Sequence, residues 1–268
     1  MFAAICPRFT AGPLTCLHTS VLRQGGEVVA FLWGLVASSS LLIGAVVVFL
    51  RPLPQRVVAL VMAFGAGVLL SAVAYDLVAD AFEQSDAATL LAGLGAGAVT
   101  FYVGDLLIDR MGGADRKRST GAQATGGGAA IAFGTVLDGV PESVVLGATL
   151  VGGGGVSVAM LAAVFLSNLP EAMAATAGLT SSGTSKRSVM LLWLATTLVS
   201  ALAAAGGFTL LGDATGGSVA FVQAFAAGAL LTMLTDTMVP EAYEFGGAST
   251  GLVTVLGFSV AFGLSTLA

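Results

Sequence analysis

Charged side chains are scarce in this chain. Asp, Glu, Lys and Arg make up only 9% of its 268 residues, whereas hydrophobic residues make up 56% and the mean hydropathy is +0.97. Soluble domains usually carry about 25% charged residues, so the composition excludes an ordinary soluble domain and predicts an integral membrane protein. The charged residues that give the net charge of −5 lie at separate positions along the chain and do not form one charged surface, so we expect no nucleic-acid partner.

Cysteine and histidine are nearly absent as well. Cys6, Cys16 and His18 all lie near the N-terminus, which excludes a disulfide framework or a thiolate metal site elsewhere. Residues 1–26 are predicted to form an N-terminal tail, because the first 24 of them lack the continuous apolar core of a signal peptide. Residues 27–268 are then expected to form one domain.

Long apolar runs dominate the rest of the chain, and a membrane-spanning helix needs about 20 such residues. The runs are continuous and not alternating, which favours helices over a barrel. We predict an all-α integral membrane protein with eight transmembrane helices at approximately 27–50, 56–80, 87–108, 128–151, 156–179, 188–211, 218–240 and 249–267. The 37 glycines suit close packing of helices in lipid.

Basic residues concentrate in three connections between the predicted spans: Arg51, Arg56, Arg110, Arg116, Lys117, Arg118, Lys186 and Arg187. All three connections fall on one side, which the positive-inside rule makes cytoplasmic. Both termini are then extracytoplasmic in a multi-pass protein of the cell membrane. The longest connection, about 109–127, is rich in Gly, Ser and Thr and is predicted to be a flexible cytoplasmic loop.

The chain contains an internal repeat. Residues 63–83 align without a gap to 224–244, with nine of 21 positions identical and matched acidic positions. The two copies lie in spans of opposite direction, as expected for an inverted repeat that relates spans 1–3 to spans 6–8. The predicted arrangement is 3+2+3, with spans 4 and 5 as a central pair.

Spans 4 and 5 carry acidic residues near their middles. Asp138 and Glu142 share one helix face, as do Ser167 and Glu171, with Asn168 beside them. An ionised group in lipid costs several kcal/mol, so these side chains are expected to face the protein interior.

A proline precedes each glutamate in these spans, at Pro141 and Pro170. Proline kinks a helix and frees a carbonyl one turn earlier. Two kinked helices would therefore bring carboxylate, amide, hydroxyl and carbonyl oxygens together, a donor set that suits a divalent cation. The structural alternative is that Glu142 and Glu171 are protonated and form hydrogen bonds between helices.

Further acidic residues lie toward the ends of spans 2 and 7. Asp76, Asp80, Asp236 and Glu241 are predicted to line the two mouths of a cation pathway. The alternative is solvation of helix ends, which we favour for Glu83, Asp86 and Glu244.

With these features, the sequence resembles the ZIP family of divalent metal transporters from residue 27 onward. The resemblance comprises the eight spans, the AGVLL and AGALL segments at 66–70 and 227–231, and two motifs, DGVPES at 138–143 and SNLPEA at 167–172. The family motifs read approximately His-Asn-x-Pro-Glu-Gly and His-Glu-x-Pro-Glu-Gly.

The resemblance implies a metal site on these two motifs. Glu142 and Glu171 would be the central ligands, Asp138 would take the first motif's histidine position, and Ser167 and Asn168 the first two positions of the second motif. Both family histidines are absent, and oxygen-only shells relax selectivity from zinc toward manganese or ferrous iron. The site would hold one or two ions as substrate, with no resident cofactor.

The leading hypothesis is a carrier that transports a divalent metal such as zinc, manganese or ferrous iron by alternating access. One alternative is a ZIP-like metal sensor or membrane scaffold that does not transport. Another is an intramembrane protease, but the spans hold no serine–histidine or zinc-binding histidine motif, so we expect no enzyme activity. The expected partners are metal ions and the lipid bilayer, and the glycine content permits a homodimer without requiring one.

Overall fold

The structure of the protein is a computed structural model. It describes residues 13–51, 53–113, 128–151, 156–212, 214 and 216–266. Within these ranges, the side chains of residues 13–24 and 128–132 are not described. When an α-helix and the π-helical segment that continues it are counted as one, these residues form eight helices. They are α1 (Pro13–Leu50), α2 (Gln55–Gln84), α3 (Ala87–Gly112), α4 (Gly128–Ala148), α5 (Val158–Ser181), α6 (Lys186–Leu211), α7 (Gly216–Gly246) and α8 (Ser249–Ser265).

Six of the helices in the described part of the chain are long and apolar enough to cross a membrane, which confirms the membrane-embedded, all-helical character predicted from composition. They are α1, α2, α3, α5, α6 and α7, whereas α8 is a shorter apolar helix of 17 residues. Helix α1 begins at Pro13, so residues 13–26 of the predicted tail are helical. Most of the predicted loop at 109–127 lies outside the described residues.

Large apolar side chains remain exposed around the bundle. Helix α3 buries only a narrow stripe that includes Leu90, Gly93, Gly97 and Phe101, and it exposes Leu91, Val99 and several other apolar side chains. Such an exposed apolar belt is excluded for a protein surrounded by water and is expected for one surrounded by lipid.

The helices pack in a pattern that has internal symmetry. The principal contacts join α1 to α6, α3 to α7, α2 to α8, α2 to α7, α4 to α6, α1 to α5 and α2 to α5. Exchanging α1 with α6, α2 with α7, α3 with α8 and α4 with α5 maps α1–α6 and α2–α7 onto themselves and converts each of the other pairs into a pair that is also in contact.

Glycines bring the backbones of two of these pairs into direct contact. A Cβ atom added at Gly67 of α2 would overlap the carbonyl oxygen of Thr254 in α8. In the same way, a Cβ atom at Gly97 of α3 would overlap the carbonyl oxygen of Phe225 in α7. We refer to α2, α3, α7 and α8 as the peripheral group.

The remaining four helices are joined by contacts of the same kind. A Cβ atom at Gly147 of α4 would overlap the carbonyl oxygen of Ala204 in α6, and one at Gly44 of α1 would lie 2.6 Å from the carbonyl oxygen of Leu169 in α5. We refer to α1, α4, α5 and α6 as the central group.

Glycine contacts between the two groups are looser. At Gly65 of α2 the nearest atom to an added Cβ would be the carbonyl oxygen of Leu166 in α5, at 3.1 Å. At Gly104 of α3 it would be a methyl group of the flexible Leu137 side chain in α4, also at 3.1 Å. The tightest glycine-mediated backbone contacts therefore lie within the groups and not between them.

Two π-helical segments occupy equivalent places in the sequence repeat. Val73–Ala79 interrupts α2 and Leu234–Met238 interrupts α7, and Val73 aligns with Leu234. Segments of this kind insert a residue into a helix and occur often at functional sites. Each of the two contains one predicted pathway residue, Asp76 or Asp236.

Candidate cation site on helices α4 and α5

Helix α4 places two carboxylates in the protein interior. Asp138 and Glu142, one helical turn apart, are 2% and 1% exposed. Pro141 lies inside the continuous helix and has no N–H to donate to the carbonyl of Leu137. A freed carbonyl oxygen therefore lies beside the two acidic side chains.

Helix α5 repeats this arrangement. Ser167, Asn168 and Glu171 are all buried, and Pro170 lies inside the helix. The Ser167 hydroxyl donates to the carbonyl oxygen of Val164 at 3.1 Å, which leaves its oxygen lone pairs available as acceptors. Every residue predicted for the metal site is thus withdrawn from solvent, as the cost of charge in lipid requires.

Helix α2 lies against the part of α5 that contains Pro170. A Cβ atom added at Gly65 would lie 3.1 Å from the carbonyl oxygen of Leu166, the one freed by Pro170, and 3.3 Å from the Cα atom of Ser167. The small size of Gly65 therefore lets a helix of the peripheral group lie directly against the candidate site.

Helices α4 and α5 contact each other, so the five predicted residues lie on two neighbouring helices. Within the described ranges, however, no group of three or more His, Cys, Asp or Glu side chains is placed so that it could hold a metal ion. Asp138, Glu142 and Glu171 therefore do not form a three-carboxylate cluster in this conformation. An ion here would depend on fewer carboxylates together with neutral oxygens.

Sequence reasoning missed a contribution from helix α6. The Ser200 hydroxyl lies 3.0 Å from the place where a Cβ atom of Gly139 would be, and Ser200 is buried. The absence of a side chain at Gly139, where the resembling motif has asparagine, therefore admits a hydroxyl group from another helix. A lone serine in an apolar span carries no distinctive pattern, because small polar residues are common in such helices.

More hydroxyl groups surround this contact. The hydroxyls of Thr135 in α4 and Thr196 in α6 lie 3.2 Å apart, and Thr197 donates to the carbonyl oxygen of Ser38 in α1, also at 3.2 Å. Hydroxyl groups therefore line the contacts of α6 with both α4 and α1.

The predicted pathway residues differ in exposure. Asp80 and Asp236 are exposed and Asp76 is partly buried, whereas Glu241 is buried. Asp80 and Glu241 occupy equivalent positions of the repeat but differ in exposure, whereas Asp76 of α2 is less exposed than Asp236 of α7. Whether these residues conduct a cation stays a prediction.

Asp86 has a structural role at the start of α3. Its carboxylate accepts a hydrogen bond from the backbone N–H of Thr89 at 2.7 Å and caps the helix, and this bond lowers the pKa of Asp86. Glu83 and Glu244 are exposed. These positions agree with the helix-end interpretation favoured for all three residues.

In comparisons with known proteins, the chain matches no protein-family model and no curated protein sequence. The resemblance to the ZIP family therefore rests on the residues and motifs themselves.

Proposed function

We propose that this protein carries a divalent metal cation across the cell membrane by alternating access. In this proposal eight spans form a 3+2+3 inverted repeat, both termini are extracytoplasmic, and Asp138, Glu142, Ser167, Asn168 and Glu171 bind the ion. Additional oxygens come from the freed carbonyls. The proposal follows the ZIP-like motifs in the sequence.

The observation that carries the proposal is the burial of five oxygen-bearing residues on two adjacent helices, each with a proline inside it. Buried carboxylates are costly unless a cation, a proton or a hydrogen-bond donor compensates the charge. A divalent cation compensates two carboxylates at once, and hydroxyl, amide and carbonyl oxygens complete its shell.

Alternating access requires parts of the protein to move relative to each other. Backbone contacts through glycine are tight within the central and peripheral groups and looser between them, which supports movement along the boundary between the groups. The exposure of Asp80 together with the burial of Glu241 supports a conformation with one mouth open and the other closed.

The oxygen donors narrow the range of metals. Imidazole favours zinc and later transition metals, whereas a shell of carboxylate, amide and hydroxyl oxygens suits manganese, ferrous iron or magnesium. We therefore propose manganese or ferrous iron ahead of zinc. The site would hold one or two ions as substrate.

A flux assay in liposomes tests the proposal. Purified protein is given zinc, manganese, ferrous iron, cobalt and magnesium, and metal uptake is measured for the wild type, Glu142→Gln and Glu171→Gln. We expect uptake to fall at least about tenfold in both variants, because removing one charged ligand from a buried oxygen shell costs more than ~1.4 kcal/mol of binding. Glu244→Gln is the matched control, since that glutamate is exposed and lies outside the site.

An alternative is a ZIP-like metal sensor or membrane scaffold that does not transport. The absence of both histidines of the family motifs from DGVPES and SNLPEA favours it. Metal binding by the wild type without flux of any metal across the membrane would support the sensor, and the absence of both would support the scaffold. Equal loss of uptake in Glu244→Gln would show that the variants report a general effect and not the site.

A further inference from the structure

Basic side chains gather at the end of the bundle where α1 ends and α6 begins. The ammonium group of Lys186, the first residue of α6, lies 5.3 Å from the ring centroid of Phe49 at the end of α1. Arg51 follows Phe49 by two residues, and Arg187 follows Lys186. Arg51, Lys186 and Arg187 are exposed, and we refer to them as the basic cluster.

Among the described residues, no carboxylate pairs with this cluster. Residues 28–75 and 172–212 contain no Asp or Glu. Within the part of the chain that the structure describes, Arg51, Lys186 and Arg187 form no ion pair. Lys186 and Arg187 also occupy the first helical turn of α6, where the helix dipole disfavours positive charge. Apart from the contact of Lys186 with the Phe49 ring, the described residues therefore offer no compensation for the three positive charges.

An apolar surface runs from this cluster along α6. Leu191, Leu194, Leu198 and Leu202 follow Arg187 at helical spacing on one face, and they are between 43% and 62% exposed. Leu50, beside Arg51 at the end of α1, is 80% exposed. One face of α6 thus carries positive charge at its first turn, at Arg187, and apolar side chains along the turns that follow.

We propose that this surface binds an anionic phospholipid, with the phosphate group on the basic cluster and an acyl chain along the stripe of α6. Basic residues also orient a chain in the membrane, but orientation needs only charge. The basic cluster and the continuous apolar face below Arg187 match the two halves of a phospholipid, and basic groups between helices at a membrane surface are suited to anionic headgroups. The inference is independent of metal transport.

Lipid titration of the purified protein tests this site. The protein in neutral detergent is titrated with dioleoyl phosphatidylglycerol and, separately, with dioleoyl phosphatidylcholine, and the melting temperature is followed. We expect the anionic lipid to raise the melting temperature more, because binding to the folded state stabilises it. In Arg51→Gln and Arg187→Gln the apparent affinity for phosphatidylglycerol should fall about fivefold for each charge removed.

Three controls make the result decisive. Arg110→Gln removes an exposed basic residue at the end of α3, outside the cluster, and should leave the affinity unchanged. High salt should weaken the effect of phosphatidylglycerol on the wild type. Equal stabilisation by the two lipids would overturn the proposal, as would equal loss in Arg110→Gln, or full stabilisation by inorganic phosphate without lipid.

Discussion

Trp193 shows how a single polar atom is accommodated in the apolar interior. Its side chain is fully buried, and its indole N–H donates to the hydroxyl of Thr176 at 2.8 Å. The bond joins α6 to α5 and lies within the central group. A buried N–H without an acceptor would cost free energy, so this pair fixes the relative rotation of the two helices.

We expect Trp193→Phe to lower the free energy of unfolding by about 1–2 kcal/mol, because phenylalanine fills most of the space but cannot donate to Thr176. Thermal unfolding in detergent measures the change. Trp33→Phe is the control, since Trp33 is only partly buried and should be replaced at little cost. A larger loss at Trp33 than at Trp193 would contradict the prediction.

At the level of helices, glycine determines how closely neighbours approach. Lipid provides no hydrophobic drive for helix association, so helices in membranes depend on close packing at small residues. Gly67 and Gly97 permit backbone contact between helices of the peripheral group. Gly206 of α6, by contrast, has no atom within 4 Å of an added Cβ.

The close contact at Gly67 and the open space at Gly206 predict different effects for the same glycine-to-alanine substitution. Gly67→Ala should destabilise the protein by roughly 1–3 kcal/mol, because the methyl group overlaps the Thr254 carbonyl and forces α2 and α8 apart. Gly206→Ala should leave stability unchanged or raise it by up to about 1 kcal/mol through helix propensity. Melting temperatures of the two variants in one detergent provide the test, and equal effects would refute the described α2–α8 contact.

At the scale of the whole molecule, the two halves of the repeat make equivalent contacts between helices, but residues at equivalent positions differ in exposure. Asp80 and Glu241 are equivalent in the sequence repeat, yet Asp80 is exposed and Glu241 is 7% exposed. A carrier that alternates between two states has this asymmetry in each state and inverts it in the other.

Thiol labelling measures this asymmetry directly. In a background without Cys6 and Cys16, we expect Asp80→Cys to react with a polar maleimide at least about tenfold faster than Glu241→Cys, because a reagent reaches a buried thiol only through rare opening.

Exposed neighbours supply the controls for labelling. Glu83→Cys and Glu244→Cys lie near Asp80 and Glu241 in the sequence, and both positions are exposed. Fast labelling at Glu244 with slow labelling at Glu241 would indicate a closed mouth and exclude failure of the reagent to reach that end. Similar rates at Asp80 and Glu241 would contradict the asymmetry.

Much of the fold was predictable because it depends on local chemistry. The length and hydropathy of an apolar run indicate a helix without knowledge of its neighbours, and six helices able to span a membrane confirm this part of the prediction. The helical spacing of Asp138 and Glu142 predicted a shared face, and the cost of charge in lipid predicted their burial.

Other features depend on which helices meet, and that information is not local. The approach of Ser200 to Gly139, the backbone contacts of Gly67 and Gly97, and the different exposure of Asp80 and Glu241 arise from packing between segments distant in the chain. Composition and periodicity were therefore sufficient to predict the helices and the burial of the acidic side chains on them. The neighbours of each face, and the boundary between the central and peripheral groups, depend on side-chain size at contacts that exist only in the assembled bundle.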